Sequence, residues 1–123
     1  MNLARILGGA LPVDVKDDGA LNVAYEGTVA SLRTLTISED LELISLVQLL
    51  AQDVALNAGL RKTVAAQAEK TTLGTVTLVE VSNKTADVVL RYNFPAAGLS
   101  DTALQTLVLM VLSAGVDVRR ALG

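Results

Sequence analysis

From Ala86 to Phe94 the chain alternates. Ala86, Val88, Leu90, Tyr92 and Phe94 are apolar, while Asp87, Arg91 and Asn93 between them are polar. A two-residue period predicts a strand with one buried and one wet face. Pro95 has no N–H to continue the ladder, and Gly98 gives a turn. Ser100 is placed to cap a helix, with Leu99 and Leu104 as a hydrophobic staple. On a helical wheel with Leu104 at zero, Leu107, Val108, Val111 and Leu112 fall within about 80° of it, a stripe that packs on a sheet. Gln105, Thr106 and Ser113 mark the other arc, but Leu109 lies inside that arc and Met110 at its border. The spacing predicts a helix from Ser100 to Ala114, Gly115 as its C-cap, and a further helical turn over 116–122.

Upstream, Asn2 to Gly8 reads as a short helix with Leu3, Ile6 and Leu7 on one side, stopped by Gly8-Gly9. Residues 13–26 read as a hairpin across Lys16-Asp-Asp-Gly19, with Leu21, Val23 and Tyr25 alternating with Asn22, Ala24 and Glu26. Thr28 to Ile37 is a second strand whose pattern slips. Ala30 and Leu32 share one parity, Leu35 and Ile37 the other, which a bulge near Arg33-Thr34 would explain. Residues 38–56 point two ways: Ser38-Glu39-Asp40 and good helix formers predict a helix, whereas Leu43 to Leu50, apolar on both parities, predicts a strand covered on both faces. Asn57 caps a helix from Ala58 to about Lys70, with Leu60, Val64 and Ala68 on one narrow stripe. Thr75 to Val81 and Ala86 to Phe94 form a hairpin across Ser82-Asn-Lys-Thr85.

Composition narrows the chemistry. The 123 residues suit one domain with a single core. There is no cysteine and no histidine, so disulfides, zinc–thiolate sites and histidine-dependent triads are excluded. Thirteen acidic residues against ten basic give a net charge of −3. With two tyrosines, one phenylalanine and no tryptophan, the chain lacks the basic face and stacking aromatics of nucleic-acid binders. The N-terminus is too weakly apolar for a signal peptide, and no uninterrupted apolar run approaches the ~18 residues that span a bilayer. The expectation is a cytoplasmic protein with a core of Leu, Val and Ala.

The candidate chemical groups are few. Asp17-Asp18 and Glu39-Asp40-Glu42 lack the alternating frame of a calcium loop and read as turn residues and a solvated strand start. Gly8-Gly9 does not open a helix after a strand, and no serine or lysine has a neighbouring base. A small carboxylate-based ligand site would need Asp14 or Glu80 to converge with Arg33 or Arg91. No catalytic residue, cofactor or metal is expected. Leu109 and Met110 suggest instead a covered patch, lying either against another protein or under the chain's own N-terminal helix.

The local motifs also carry a resemblance. Val13-Asp-Val-Lys-Asp-Asp-Gly-Ala-Leu-Asn-Val23, Leu41-Glu-Leu-Ile-Ser-Leu46, Gly74-Thr-Val-Thr-Leu78, Val88-Val-Leu-Arg91, Phe94-Pro95 and Gly98-Leu-Ser-Asp-Thr-Ala-Leu104 together resemble the type III secretion chaperone fold, which YbjN-like proteins share. The chain departs from that pattern at Gln67-Ala-Glu-Lys-Thr-Thr72, where an asparagine is common. The resemblance implies a strand over 41–51. It also implies an α+β fold: an antiparallel sheet of about five strands with three helices, in the order α-β-β-β-α-β-β-α. By the same resemblance, the protein is a non-enzymatic, secretion-chaperone-like module holding an extended partner segment as a homodimer, or a YbjN-like protein of regulatory role. Chaperones of this type dimerise largely through this central region, which makes Leu60, Val64 and Ala68 candidate interface residues beside Leu109 and Met110; the alternative is that this short helix packs on its own sheet. The partners expected are protein alone, without nucleic acid or membrane.

Overall fold

The computed structural model describes Asn2 to Gly123. In chain order the elements are α1 (Leu3–Gly8), β1 (Val13–Val15), β2 (Leu21–Tyr25), β3 (Thr28–Ser38), β4 (Leu41–Ala55), α2 (Ala58–Lys70), β5 (Thr75–Glu80), β6 (Thr85–Pro95) and α3 (Asp101–Ala121). The strands form one sheet in the order β1-β2-β3-β4-β6-β5, every neighbouring pair antiparallel. The fold is α+β, as the alternation and the resemblance imply. The sheet has six strands because both arms of the 13–26 hairpin belong to it, β1 at the edge pairing with β2 and β2 pairing on with β3.

Register explains which side chains share a face. Leu21, Leu32, Leu46 and Tyr92 are successive cross-strand neighbours, as are Val23, Ala30, Gln48, Leu90 and Val76. Both rows point to the face on which the helices pack. They form one buried cluster with Leu3, Ile6 and Leu7 of α1, Val64 of α2, and Leu104, Val108, Val111 and Leu112 of α3. The helix starts follow the predicted caps: the Asn2, Asn57 and Ser100 side chains accept backbone N–H bonds from Arg5, Leu60 and Ala103. By length and composition α3 is long and apolar enough to cross a membrane; in this fold its apolar stripe lies against the sheet.

Gln48 is the polar member of this core. Its side chain is fully buried; Nε2 donates to Thr28 Oγ1 at 2.9 Å and to the Leu112 carbonyl at 3.1 Å. Thr28 in turn donates to the Tyr25 carbonyl at 2.7 Å. Oε1 has no partner. The amide sits where the Cβ of any other residue at 115 would stand, so Gly115 is a notch in α3 that admits Gln48.

That notch corrects one expectation: Gly115 does not cap a helix at Ala114 but lies inside an unbroken α3 that runs to Ala121. A second correction concerns β3. No bulge falls at Arg33-Thr34, since both pair regularly with Ser45 and Ile44, and the register shifts only between Thr36 and Ser38. The change of apolar parity has another cause: Leu35 and Ile37 lie on the opposite face and are exposed, where the β3–β4 hairpin runs past the helices. Third, β4 is covered on one face rather than two. Ile44, Leu46, Gln48 and Leu50 are buried, whereas Leu43, Val47 and Leu49 are only half-buried.

Candidate functional site

All three helices pack on one side of the sheet, so the other side is bare, and it is not polar throughout. Val29, Leu49 and Val89 are direct cross-strand neighbours on β3, β4 and β6, with Ala24 and Thr77 extending the row to β2 and β5. Val29 is 48% exposed, Leu49 half-buried, and Val89 buried between its neighbours. Six residues further along the strands, Leu35, Leu43 and Pro95 form a second row. Leu35 at 42% and Ile37 at 58% exposure continue it onto the projecting hairpin, with Leu41 beside them. Two rows with polar side chains separate them: Ser31–Val47–Arg91, apolar only at Val47, and Arg33–Ser45–Asn93. None of Val29, Leu35, Leu43, Val47, Leu49 and Val89 belongs to the core cluster. A depression of about 340 Å³ lined by Val13, Asp14, Asn22, Ala24 and Val29 carries this face to its β1 edge.

The sheet edges differ. β1 has three residues and follows Pro12, which blunts it against further pairing. β5 is longer, six residues paired with β6 on one side.

The structure uses the sequence-predicted residues as follows. Val64 is buried in the core beneath α2, and Leu60 and Ala68 are partly buried against the same cluster. Leu109 is also partly buried against the core. Met110 is 55% exposed on the outer face of α3, beside a shallow groove it shares with Thr106, Leu109, Ser113 and Asp117. The five therefore do not form one surface. The bare-face residues were visible only indirectly, in the apolar run over 43–50 and the parity slip at Leu35.

The carboxylates and arginines do not converge. Asp14 pairs with Lys16 at 2.8 Å, Glu80 with Arg61 at 3.1 Å and Asp18 with Arg33 at 2.6 Å, all on the surface. Asp14 and Arg91 share a cross-sheet row but stand four strand intervals apart, about 19 Å at about 4.8 Å per interval. Asp17-Asp18 is a turn: Asp18 Oδ1 accepts from the Ala20 N–H at 3.0 Å. The Arg33 hydrogen bond first, then that N–H, hold the Asp18 carboxyl below its ordinary pKa. Among the described residues no group of three or more Asp, Glu, His or Cys could hold a metal ion.

No family model and no curated protein matches the chain. Its fold is similar to the crystal structure of YbjN from E. coli, a protein proposed to be a transcription regulator, with a TM-score of 0.63 over 95% of this chain and 85% of that one. Identity between the two is 12%. What the chain shares with YbjN is therefore the fold.

Proposed function

We propose that this protein is a non-enzymatic protein-binding module. It works as a homodimer, and the bare face of its sheet is the contact surface. The observation that supports this is the placement of Val29, Leu35, Ile37, Leu43, Val47 and Leu49 on a face that no helix covers. Apolar surface left in water is unfavourable by roughly 25 cal/mol per Å², and exposed apolar patches bordered by polar groups mark interaction sites. Arg33, Arg91 and Asn93 run between the two apolar rows and give each a polar border. Two copies in one particle double the surfaces available to a long partner and raise the effective concentration of the second contact. The net charge of −3 keeps such a surface soluble.

The partner in this reading is a polypeptide held in extended form, as a secretion chaperone holds its client. A strand edge offers unpaired N–H and C=O groups, and shallow apolar pockets take alternate side chains. The fold shared with YbjN supports a second reading, a regulatory role exercised through protein contact.

Light scattering on material eluting from a sizing column tests the dimer. The wild type is expected at twice the chain mass, and a Leu35→Glu/Ile37→Glu variant at the monomer mass with an unchanged circular dichroism spectrum. A wild type that stays monomeric at high concentration removes the homodimer. A gel shift with duplex DNA tests the regulatory reading: protein-mediated regulation expects no shift.

A further inference from the structure

We infer that the notch where β4 outruns β3 is the seat for the partner, and that the segment it takes is extended and acidic. This rests on the protein-binding reading above and adds the partner's chemistry. Pairing between β3 and β4 begins at Val29–Leu49, yet β4 continues to Ala55 with β6 on one side only. From Leu50 onward its backbone therefore has no strand neighbour on the β3 side. Register shifts between Leu49 and Ala51 and between Ala51 and Val54, with Asp53 at φ 52°, twist this overhang. Such irregularities end long pairing and protect an edge from indiscriminate addition. A segment of a few residues fits there; a whole strand does not.

The overhang forms one wall of a groove of about 600 Å³, a volume typical of binding sites. Leu50, Val54, Val116 and Leu122 give it an apolar floor, and Arg119 and Arg120 stand at its rim. Two cations at one notch are notable on an acidic chain. Arg119 makes no ion pair or side-chain hydrogen bond among the described residues. Its guanidinium rests against the β2–β3 turn at Gly27, where an added Cβ would lie 3.0 Å from Nη1. Gly27 also has φ +84°, a backbone conformation that favours glycine and keeps the turn free of a side chain beside the guanidinium. Arg120 pairs only with Asp117, at 3.5 Å and with both side chains exposed, a contact that a better-placed carboxylate displaces easily. Glu26 is the one acidic side chain on the lining, which Gly123 at the chain's end also joins.

These features select a ligand class. Free backbone groups on one wall, an apolar floor and a cationic rim match a peptide whose carboxylates alternate with apolar side chains. In extended backbone those two sets point to opposite sides. A compact anion would use the arginines and leave the strand edge and the floor without a role.

Fluorescence anisotropy with a labelled hexapeptide alternating Glu and Val, against the same peptide with Gln for Glu, tests this on the whole protein. The acidic peptide is expected to bind about tenfold tighter at low salt and to lose that margin as salt rises. Arg119→Glu, at an exposed position, is expected to weaken it about tenfold, while Leu35→Glu/Ile37→Glu leaves it unchanged. Equal binding of the two peptides overturns the inference, as does indifference to Arg119→Glu. So does protein that adheres to vesicles of acidic phospholipid and ignores the peptide. Peptide binding lost in the Leu35→Glu/Ile37→Glu variant but kept in Arg119→Glu would put the partner on the bare face: the binding module would survive and the notch would not. Notch binding by a chain that is always monomeric would uphold the notch and remove the homodimer.

Discussion

The two faces of the sheet are made by the same strands and carry similar side chains, yet one is a core and the other is a surface. On β4, Ile44, Leu46 and Leu50 are buried, while Leu43, Val47 and Leu49 in alternate positions remain half-exposed. The difference comes from helix coverage rather than composition. α1, α2 and α3 all lie on the side of Leu46, and none lies on the side of Val47. An antiparallel sheet with one wet face ordinarily shows polar residues there. The apolar residues kept on that face are what the proposed contact surface rests on.

Truncation across the faces should break the symmetry most clearly. Leu46→Ala, at a fully buried site, is expected to lower the unfolding free energy in urea by about 2–5 kcal/mol. The same measurement on Leu35→Ser, on the bare face, should move by no more than about 0.5 kcal/mol in the monomer. A large loss at Leu35 would mean that the bare face is covered within the single chain.

Gly115→Ala comes next. Its new methyl would collide with the buried Gln48 amide, and overpacking of this kind costs about 1–3 kcal/mol. Gln48→Ala in the same chain should recover much of the loss, so a double-mutant cycle measures the coupling between notch and amide. Additive effects would show that Gln48 moves aside freely.

The smallest effect is electrostatic and confined to the surface. Asp18 is held below its ordinary pKa by Arg33 and the Ala20 N–H, so its charged form is favoured by folding. Its contribution is therefore present above the unfolded carboxylate range, near about 3.9, and is lost as pH falls through the lower folded value. Asp18→Asn should lower stability slightly near neutrality, where the contribution is present, and leave it unchanged in strong acid, so that the acid limb of the stability curve flattens; a loss confined to strongly acid pH would contradict the assignment.

Much of the architecture was legible locally. The alternation over 86–94 and the capping residues Asn57 and Ser100 describe short-range geometry, and the strand and helices follow from it. β4 was harder. Leu, Gln and Ala favour helix in isolation, and the cross-strand partners that hold residues 41–55 extended lie elsewhere in the chain, on β3 and β6. Gly115 misled for a similar reason, since a helical glycine is read as a stop unless the side chain that fills its place is known.

The sequence by itself determined the periods, the caps and turns, the acidic balance and the absence of histidine and cysteine, because each depends on residue identity or on neighbours within a turn or two. Only the tertiary structure decided which parity of β4 is covered, that Leu60, Val64 and Ala68 face the chain's own core, and that Arg119 stands beside an unpaired strand end. Those facts depend on register and on the side where the helices land. Both are set by contacts between residues far apart in the chain, so a linear pattern specifies that a strand has two faces without specifying which of them water keeps.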